Sequence, residues 1–435
     1  MQQIKPLQNI KEYTLNLSRR QFFALAGASA TGAVLLSPLQ AFYAKPALAA
    51  GPYGNLLPDP NGVLDLPAGF TYSRLSETGQ RMNDGYRVPG NHDGMGAFPD
   101  SNGNGNTILI RNHELALSST VGLGAPSNKK YNSSAGGGCT KLVVSPSRTL
   151  VEHRGVLAGT IRNCAGGPTP SGSWLTCEET FETNNSKKHG YVFEVPSSAT
   201  TFVTPVPLTA MGRFNHEAAA VDPNTGYIYM TEDRGDGLFY RFTPNQSNNL
   251  SAGGLLYALK ITGSSGINTA TGFPKNTSRA VEWVQIDNPD PTSDTVRTEG
   301  YNKGAARFSG GEGIFYGSGY VYFTCKSGGS SGDGQIWRYS PTNNTVELYI
   351  EPNDSGVLDN PDNLVIFPNR DIFLCEDGDG TDYILGITPT GSLYKFAKNA
   401  LNSSEFAGVC FSPDGNTMFV NMQTPGITFA IWGPW

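Results

Sequence analysis

The sequence predicts an all-β protein, a propeller of about six blades, on three observations. A strand motif recurs, the composition suits short strands and tight turns, and hairpin signals are spaced along most of the chain. The recurrent motif is an apolar strand that ends in charge: Leu175-Thr-Cys-Glu-Glu179, Met230-Thr-Glu-Asp-Arg234 and Leu374-Cys-Glu-Asp-Gly378. Each is followed, across a polar loop, by a strand of one type: Gly190-Tyr-Val-Phe-Glu-Val195, Gly237-Leu-Phe-Tyr-Arg-Phe242 and Gly391-Ser-Leu-Tyr-Lys-Phe396. Phe323-Thr-Cys-Lys326 with Gly334-Gln-Ile-Trp-Arg-Tyr339 is a fourth copy without the acids. A strand pair repeated in this way marks a radial β array whose units aim their ends at one place.

The 53 glycines and 29 prolines in 435 residues are too many for a helical protein, and the 11% aromatic content supplies flat side chains to pack between sheets. A net charge of −6 excludes a nucleic-acid binder, which needs a basic face to neutralise phosphate.

In chain order, residues 1–49 read as a twin-arginine (Tat) signal peptide. Ser18-Arg19-Arg20-Gln21-Phe22-Phe23 precedes an uncharged, Ala- and Gly-rich stretch from Ala24 to Ala44, and Ala47-Leu48-Ala49 is a small-residue exit. The alternative, an uncleaved membrane anchor, is disfavoured because Gly27, Ser29, Thr31 and Gly32 make the stretch only weakly apolar. Export to the bacterial periplasm or medium by the Tat machinery is the expectation, with no stable membrane anchor afterwards. Residues 50–435 then form a single propeller domain. Ala218 to Met230, Val365 to Phe373 and Val409 to Val420 are hairpins by residue type, each with a Pro, Asn, Asp or Gly turn. Stretches near residues 100–106, 122–137, 263–278 and 327–334, rich in Gly, Ser and Asn, are surface loops, and no long amphipathic helix is expected.

The chemistry-bearing residues sit at the strand ends. Glu178, Glu179, Glu232, Asp233, Glu376 and Asp377 end strands, Asn112-His113-Glu114 and Arg213-Phe-Asn-His-Glu217 set histidine beside glutamate, and Glu312 lies in the glycine turn Ser309-Gly-Gly-Glu-Gly313. Carboxylates that converge without cations repel one another, so the set points to a metal site, and hard oxygen donors favour Ca²⁺. The six cysteines allow three disulfides in 15 pairings, or buried thiols in strands. Cys164 stands apart in the turn-rich Asn163-Cys-Ala-Gly-Gly-Pro168, where a thiolate can reach a metal, and no spacing suits structural zinc.

The strings Asn163-Cys-Ala-Gly-Gly, Trp174-Leu-Thr-Cys-Glu-Glu, Arg213-Phe-Asn-His-Glu, Thr231-Glu-Asp-Arg, Gly334-Gln-Ile-Trp, Pro361-Asp-Asn363, Cys375-Glu-Asp-Gly and Glu405-Phe-Ala-Gly-Val-Cys-Phe-Ser-Pro-Asp-Gly occur in this order. From about Asp65 to Trp435 the chain thereby resembles PhoX-type alkaline phosphatases, as a shorter member. That resemblance implies a Tat-exported phosphomonoesterase on a propeller, with calcium and ferric iron and small phosphate esters as substrates. It makes Cys164 and Glu217 expected iron ligands. Glu178, Glu179, Glu232, Asp233, Glu312, Glu376 and Asp377 become expected calcium or bridging ligands, with Glu312 also at the reacting phosphate. The implied reaction is an in-line displacement by a metal-bound hydroxide or oxo group. Longer members of that family carry a phosphate-contacting arginine where this chain has Gly310. Arg213 is the expected substitute, ahead of Arg234 and Arg307; weaker monoester turnover is the other outcome. The runner-up functions are a calcium-dependent phosphodiesterase or lactonase on the same propeller, and a non-enzymatic calcium-stabilised binding propeller.

Overall fold

The computed structural model describes residue 48, residues 51–119, 121–367 and 371–435; the expected signal peptide, apart from Leu48, lies outside them. The described residues are built almost wholly of antiparallel strands, with one short α-helix, Val296–Asn302, among them. The turn-rich composition explains the preference. Apolar runs are too short for helices and are cut by glycines with positive φ and by Asx turns, so neighbouring strands satisfy the backbone instead.

Six inner strands form a closed ring: His92–Pro99, Asn163–Pro168, His216–Val221, Gly311–Gly317, Pro361–Ile366 and Phe406–Phe411, each packed against the next and the last against the first. Each starts a blade, numbered 1 to 6 in that order, whose remaining strands step outward. Blade 2 has three strands, and Arg279–Gln285 pairs with the outer strands of both blade 3 and blade 4, merging them into one nine-stranded sheet. The early strand Thr71–Glu77 completes blade 6 by pairing with Ile427–Trp432, from Thr71 opposite Trp432 to Glu77 opposite Ile427. This seam leaves the ring without a free radial edge.

The core lies between blades. Ile110 and Val156 meet Trp174 and Phe193, Cys177 and Val192 meet Met230 and Tyr240, and Tyr229 and Phe239 meet Phe323 and Trp337. Ile336 meets Leu374 and Leu385, Phe373 and Phe396 meet Val420 and Phe429, and Phe419 meets Leu109 and Leu142. Inner strands approach closely because the residues facing the seams are small. A Cβ on Gly313 would stand 2.6 Å from Asn363 Cα, and one on Gly408 would stand 2.4 Å from the Asp93 carbonyl oxygen. All six cysteines are buried free thiols, so the buried-thiol reading of the sequence holds and the disulfide reading does not.

Candidate metal centre

Every blade repeats one local irregularity. The first residue of the inner strand pairs with the last residue of the second strand: His92 with His113, Asn163 with Glu178, His216 with Glu232, Gly311 with Cys325, Pro361 with Glu376 and Phe406 with Met422. A bulge then interrupts each inner strand before regular pairing resumes. A bulge re-aims a side chain, and strand alternation sends successive side chains to opposite faces. Two positions per blade are therefore offered to one mouth of the axis. The second inner-strand residues are Asp93, Cys164, Glu217, Glu312, Asp362 and Ala407, and the residues just past the second strands are Glu114, Glu179, Asp233, Lys326, Asp377 and Gln423. Blade 6 has no ligating side chain at Ala407, but Glu405, two residues earlier, enters the electrostatic neighbourhood of Asp377, Asp93 and Asp362.

At the centre Glu217, Glu312 and Asp362, all buried, place one carboxylate oxygen each within 4.8 Å of one another. The buried Cys164 thiol lies beside them, with Sγ 3.3 Å from the His216 carbonyl and 3.5 Å from that of Glu217. Around this core stand Asp93, Glu114, Glu179, Asp233, Asp377 and Glu405, so nine carboxylates face two cations, Arg162 and Lys326. Arg162 pairs with Glu114 at 2.9 Å and with Glu179. Lys326 Nζ lies 2.8 Å from Asp233 and 2.5 Å from Glu312, the second a charge contact off the donor's best directions.

These two cations do not neutralise the site. Burial, then neighbouring carboxylates, push Asp93, Glu217, Glu312 and Glu405 well above the usual carboxylate range. Burial and Asp377 bring Asp362 up to about 8, and burial brings Glu179 up to about 7 against the opposing pull of Arg162. The Cys164 thiol is raised by burial, then by Glu217 and Glu179. Such a set is tolerated either with extra protons or with bound cations. The donors are nearly all hard oxygens with one soft sulfur, a chemistry that suits calcium on the carboxylates and a thiophilic transition metal near Cys164.

The sequence-predicted residues divide cleanly. Cys164, Glu179, Glu217, Asp233, Glu312 and Asp377 come together, whereas Glu178, Glu232 and Glu376 do not. As last residues of their strands, these three point to the other face and serve the blades. Glu178 accepts from Ile161 N, Gly190 N, Tyr191 N and His189 Nδ1, and Glu232 accepts from Leu238 N and Tyr240 OH and pairs with Arg297. Glu376 accepts from Asp359 N. Arg213 is not placed for phosphate either. Its buried guanidinium donates to the carbonyls of His189, Pro291, Phe181 and Glu182 and to Thr183 Oγ1, and it stacks on Phe181. Arg234 donates to Asn215, and Arg307 stacks on Tyr301 at 3.7 Å. Gly310 has φ +62°, and a Cβ there would lie 2.7 Å from Ser327 Oγ and 3.0 Å from Lys326 Cγ, so an arginine is strained at that position.

Sequence reasoning did not single out Asp93, Asp362 and Glu405 as members of the acidic cluster, or Arg162 and Lys326 as its cations, and it named Glu114 only through the Asn112-His113-Glu114 string. Lys326 had a visible signal, since it occupies the acid position of the acid-free repeat.

A family model described as alkaline phosphatase PhoX matches residues 51–155 and 148–426. A search of curated proteins gives no match. Among solved structures, PhoX of Pseudomonas fluorescens in complex with vanadate, a transition state analogue, superposes with a TM-score of 0.69 at 18% identity, covering 89% of this chain and 98% of that one. An auxiliary nutrient binding protein of Bacteroides ovatus (TM-score 0.46, 10% identity, 84% and 77% covered) and a gluconolactonase of Xanthomonas campestris (0.42, 10%, 88% and 99%) are more distant matches.

Proposed function

This chain belongs to the PhoX family of alkaline phosphatases, and from that premise we propose how its own residues serve a metal-dependent hydrolysis of phosphate monoesters. The observation that carries the reading is the buried trio Glu217, Glu312 and Asp362, whose oxygens converge within 4.8 Å beside the Cys164 thiol. Three converging acids with one lysine between them, Lys326 against Glu312, are costly unless protonated or ligated.

In this proposal Cys164 and Glu217 hold iron, while Glu179, Asp233, Glu312, Asp362 and Asp377, with Asp93, Glu114 and Glu405, hold calcium. When bound, such cations supply Lewis-acid polarisation of phosphoryl oxygens and lower the pKa of water to the neutral range. The protein's part is to fix the donors. Bulges set the inner row, the blade seams behind it exclude water, and the pairing of Gln423 Nε2 to Glu114 at 3.1 Å orients a carboxylate of the outer row. Glu178, Glu232 and Glu376 anchor the strand ends that carry Glu179, Asp233 and Asp377.

Export through the Tat route to the periplasm or medium is part of the same proposal and rests on the sequence of residues 1–49. Elemental analysis of protein isolated from its native host, paired with hydrolysis of a monoester, a diester and a lactone, tests the whole reading. Calcium and iron with monoester turnover are expected. Preferential lactone or diester turnover, or metal-replete protein without any esterase activity, would refute it.

A further inference from the structure

The ring is acidic at most positions, and the two cations set against it are related. Arg162 bridges Glu114 of blade 1 and Glu179 of blade 2, and Lys326 bridges Asp233 of blade 3 and Glu312 of blade 4. The two therefore flank one continuous arc of the mouth. Glu114 and Glu179 feel both charges, which places the two cations in one electrostatic neighbourhood. Neither is sealed inside: 41% of the Arg162 side chain and 30% of the Lys326 side chain are exposed, while the carboxylates they touch are 5–18% exposed. The cations form the rim above a buried acidic floor.

The backbone holds both stems in place. Arg162 sits at φ +48°, a left-handed conformation unusual for arginine, with its N–H donating to the Leu115 carbonyl at 3.0 Å and its carbonyl accepting from Glu179 N at 2.9 Å. Strain of this kind persists where the surrounding structure over-determines it, often at functional sites. Its Nε is buried without a partner. The Lys326 N–H donates to the Gly310 carbonyl at 2.7 Å, and its stem fills the space that a side chain at 310 would need. One of the ammonium's three donors bonds Asp233, and the Glu312 contact is an ion pair outside hydrogen-bond geometry, so donor capacity remains for a ligand. The guanidinium likewise keeps donors beyond those spent on Glu114 and Glu179.

We propose that Arg162 and Lys326 form a two-cation clamp that grips the outer oxygens of the substrate's phosphoryl group at the mouth of the ring. The inference rests on the phosphatase reading above and adds the residues that recognise the anion. Carboxylates cannot do this, since they accept hydrogen bonds only and repel a dianion. Lys326, which touches Glu312 of the trio, and Arg162, which touches Glu114 and Glu179 of the surrounding acids, are the cations that the site offers among the described residues. Non-bridging oxygens are held before and during reaction, so the clamp contributes binding common to ground and transition states. Its loss raises KM more than it lowers kcat.

The test uses metal-replete protein and inorganic phosphate as probe, with titration calorimetry and competitive inhibition as readouts. Arg162→Asn suits the left-handed backbone, and Lys326→Gln removes the charge while keeping an unbranched polar side chain. Each variant is expected to weaken phosphate binding by about tenfold to a hundredfold. Arg162→Lys and Lys326→Arg should restore most of it, and calcium and iron contents should stay at wild-type values throughout. Phosphate affinity within twofold of wild type in the Arg162→Asn/Lys326→Gln double variant would overturn the clamp and make both residues counter-ions of the acids. Affinity lost only in step with metal content would also overturn it. Wild-type protein that neither binds phosphate nor turns over a monoester would instead defeat the phosphatase reading, and the clamp with it.

Discussion

Removing the cations should destabilise the protein by an amount that grows with pH. Asp362 is pushed from 3.8 to about 8 and Glu179 from 4.5 to about 7 in the metal-free fold, both mainly by burial. A carboxyl whose folded pKa is raised favours the fold below its unfolded pKa, and that contribution is lost as pH climbs through the folded value. At pH 7 the cost is on the order of 4 kcal/mol for Asp362 and 3 kcal/mol for Glu179, each being the log-ratio of ionisation in the two states. Buried His92, His113 and His216, held below the usual imidazole range by burial, act in the opposite sense and favour the fold as pH rises. They lie outside the acid ring and affect loaded and chelated protein alike, so they cancel in a difference. The measurement is therefore the gain in Tm on metal loading, by calorimetry of chelated and replete protein at pH 5 and pH 8. The gain should widen by on the order of 5–10 °C at the higher pH. A gain that is flat or shrinks with pH would refute the reasoning.

Cys164→Ser should lower iron content and abolish activity while leaving calcium partly bound, because a hydroxyl is a poorer ligand than a thiolate for a thiophilic ion; elemental analysis with activity checks it, and a fully active serine variant would make Cys164 a packing thiol. Glu179→Gln should reduce metal content, whereas Glu178→Gln should keep it and lower stability by about 1–3 kcal/mol through the weakened bonds from Ile161, Gly190, Tyr191 and His189. The same metal loss in both would mean the face assignment is wrong. Arg213→Ala should cost about 3 kcal/mol or more in denaturant unfolding by stripping four carbonyls of their donor. Phosphate inhibition of the folded fraction should be unaltered.

The blades were legible because each strand pair carries its own alternation and turn residues, which act locally. The convergence of the strand ends was legible for the same reason. What single strings could not show was which acid of each pair faces the axis. Glu178 and Glu179 are indistinguishable by type, and only the pairing of Glu178 with Asn163 ahead of the bulge decides that Glu179 turns inward. Arg213 misled because Glu217 follows it only four positions on, yet the intervening chain enters the inner strand at His216 and leaves the guanidinium behind among loop carbonyls. Asp93, Asp362 and Glu405 have no acidic partner beside them to draw notice. Aligning the six repeats on the first inner-strand residue would have found Asp93 and Asp362, since they share a column with Cys164, Glu217 and Glu312.

The seam between Thr71–Glu77 and Ile427–Trp432 also sets when the centre can exist. Ring positions come from all six blades, and the strand that locks the sixth is drawn from some 350 residues earlier, as in the pairing of Glu77 with Ile427. A nascent chain can pack blades in succession, but the bonding partner that closes the circle, Ile427–Trp432, emerges only after the strands of the five earlier blades. Until then the acids of blade 1 have no neighbour across the gap and no common focus. Assembly of the centre thus waits on the sixth blade, with an open, sticky edge persisting until that strand pairs as the cost of so long-range a closure.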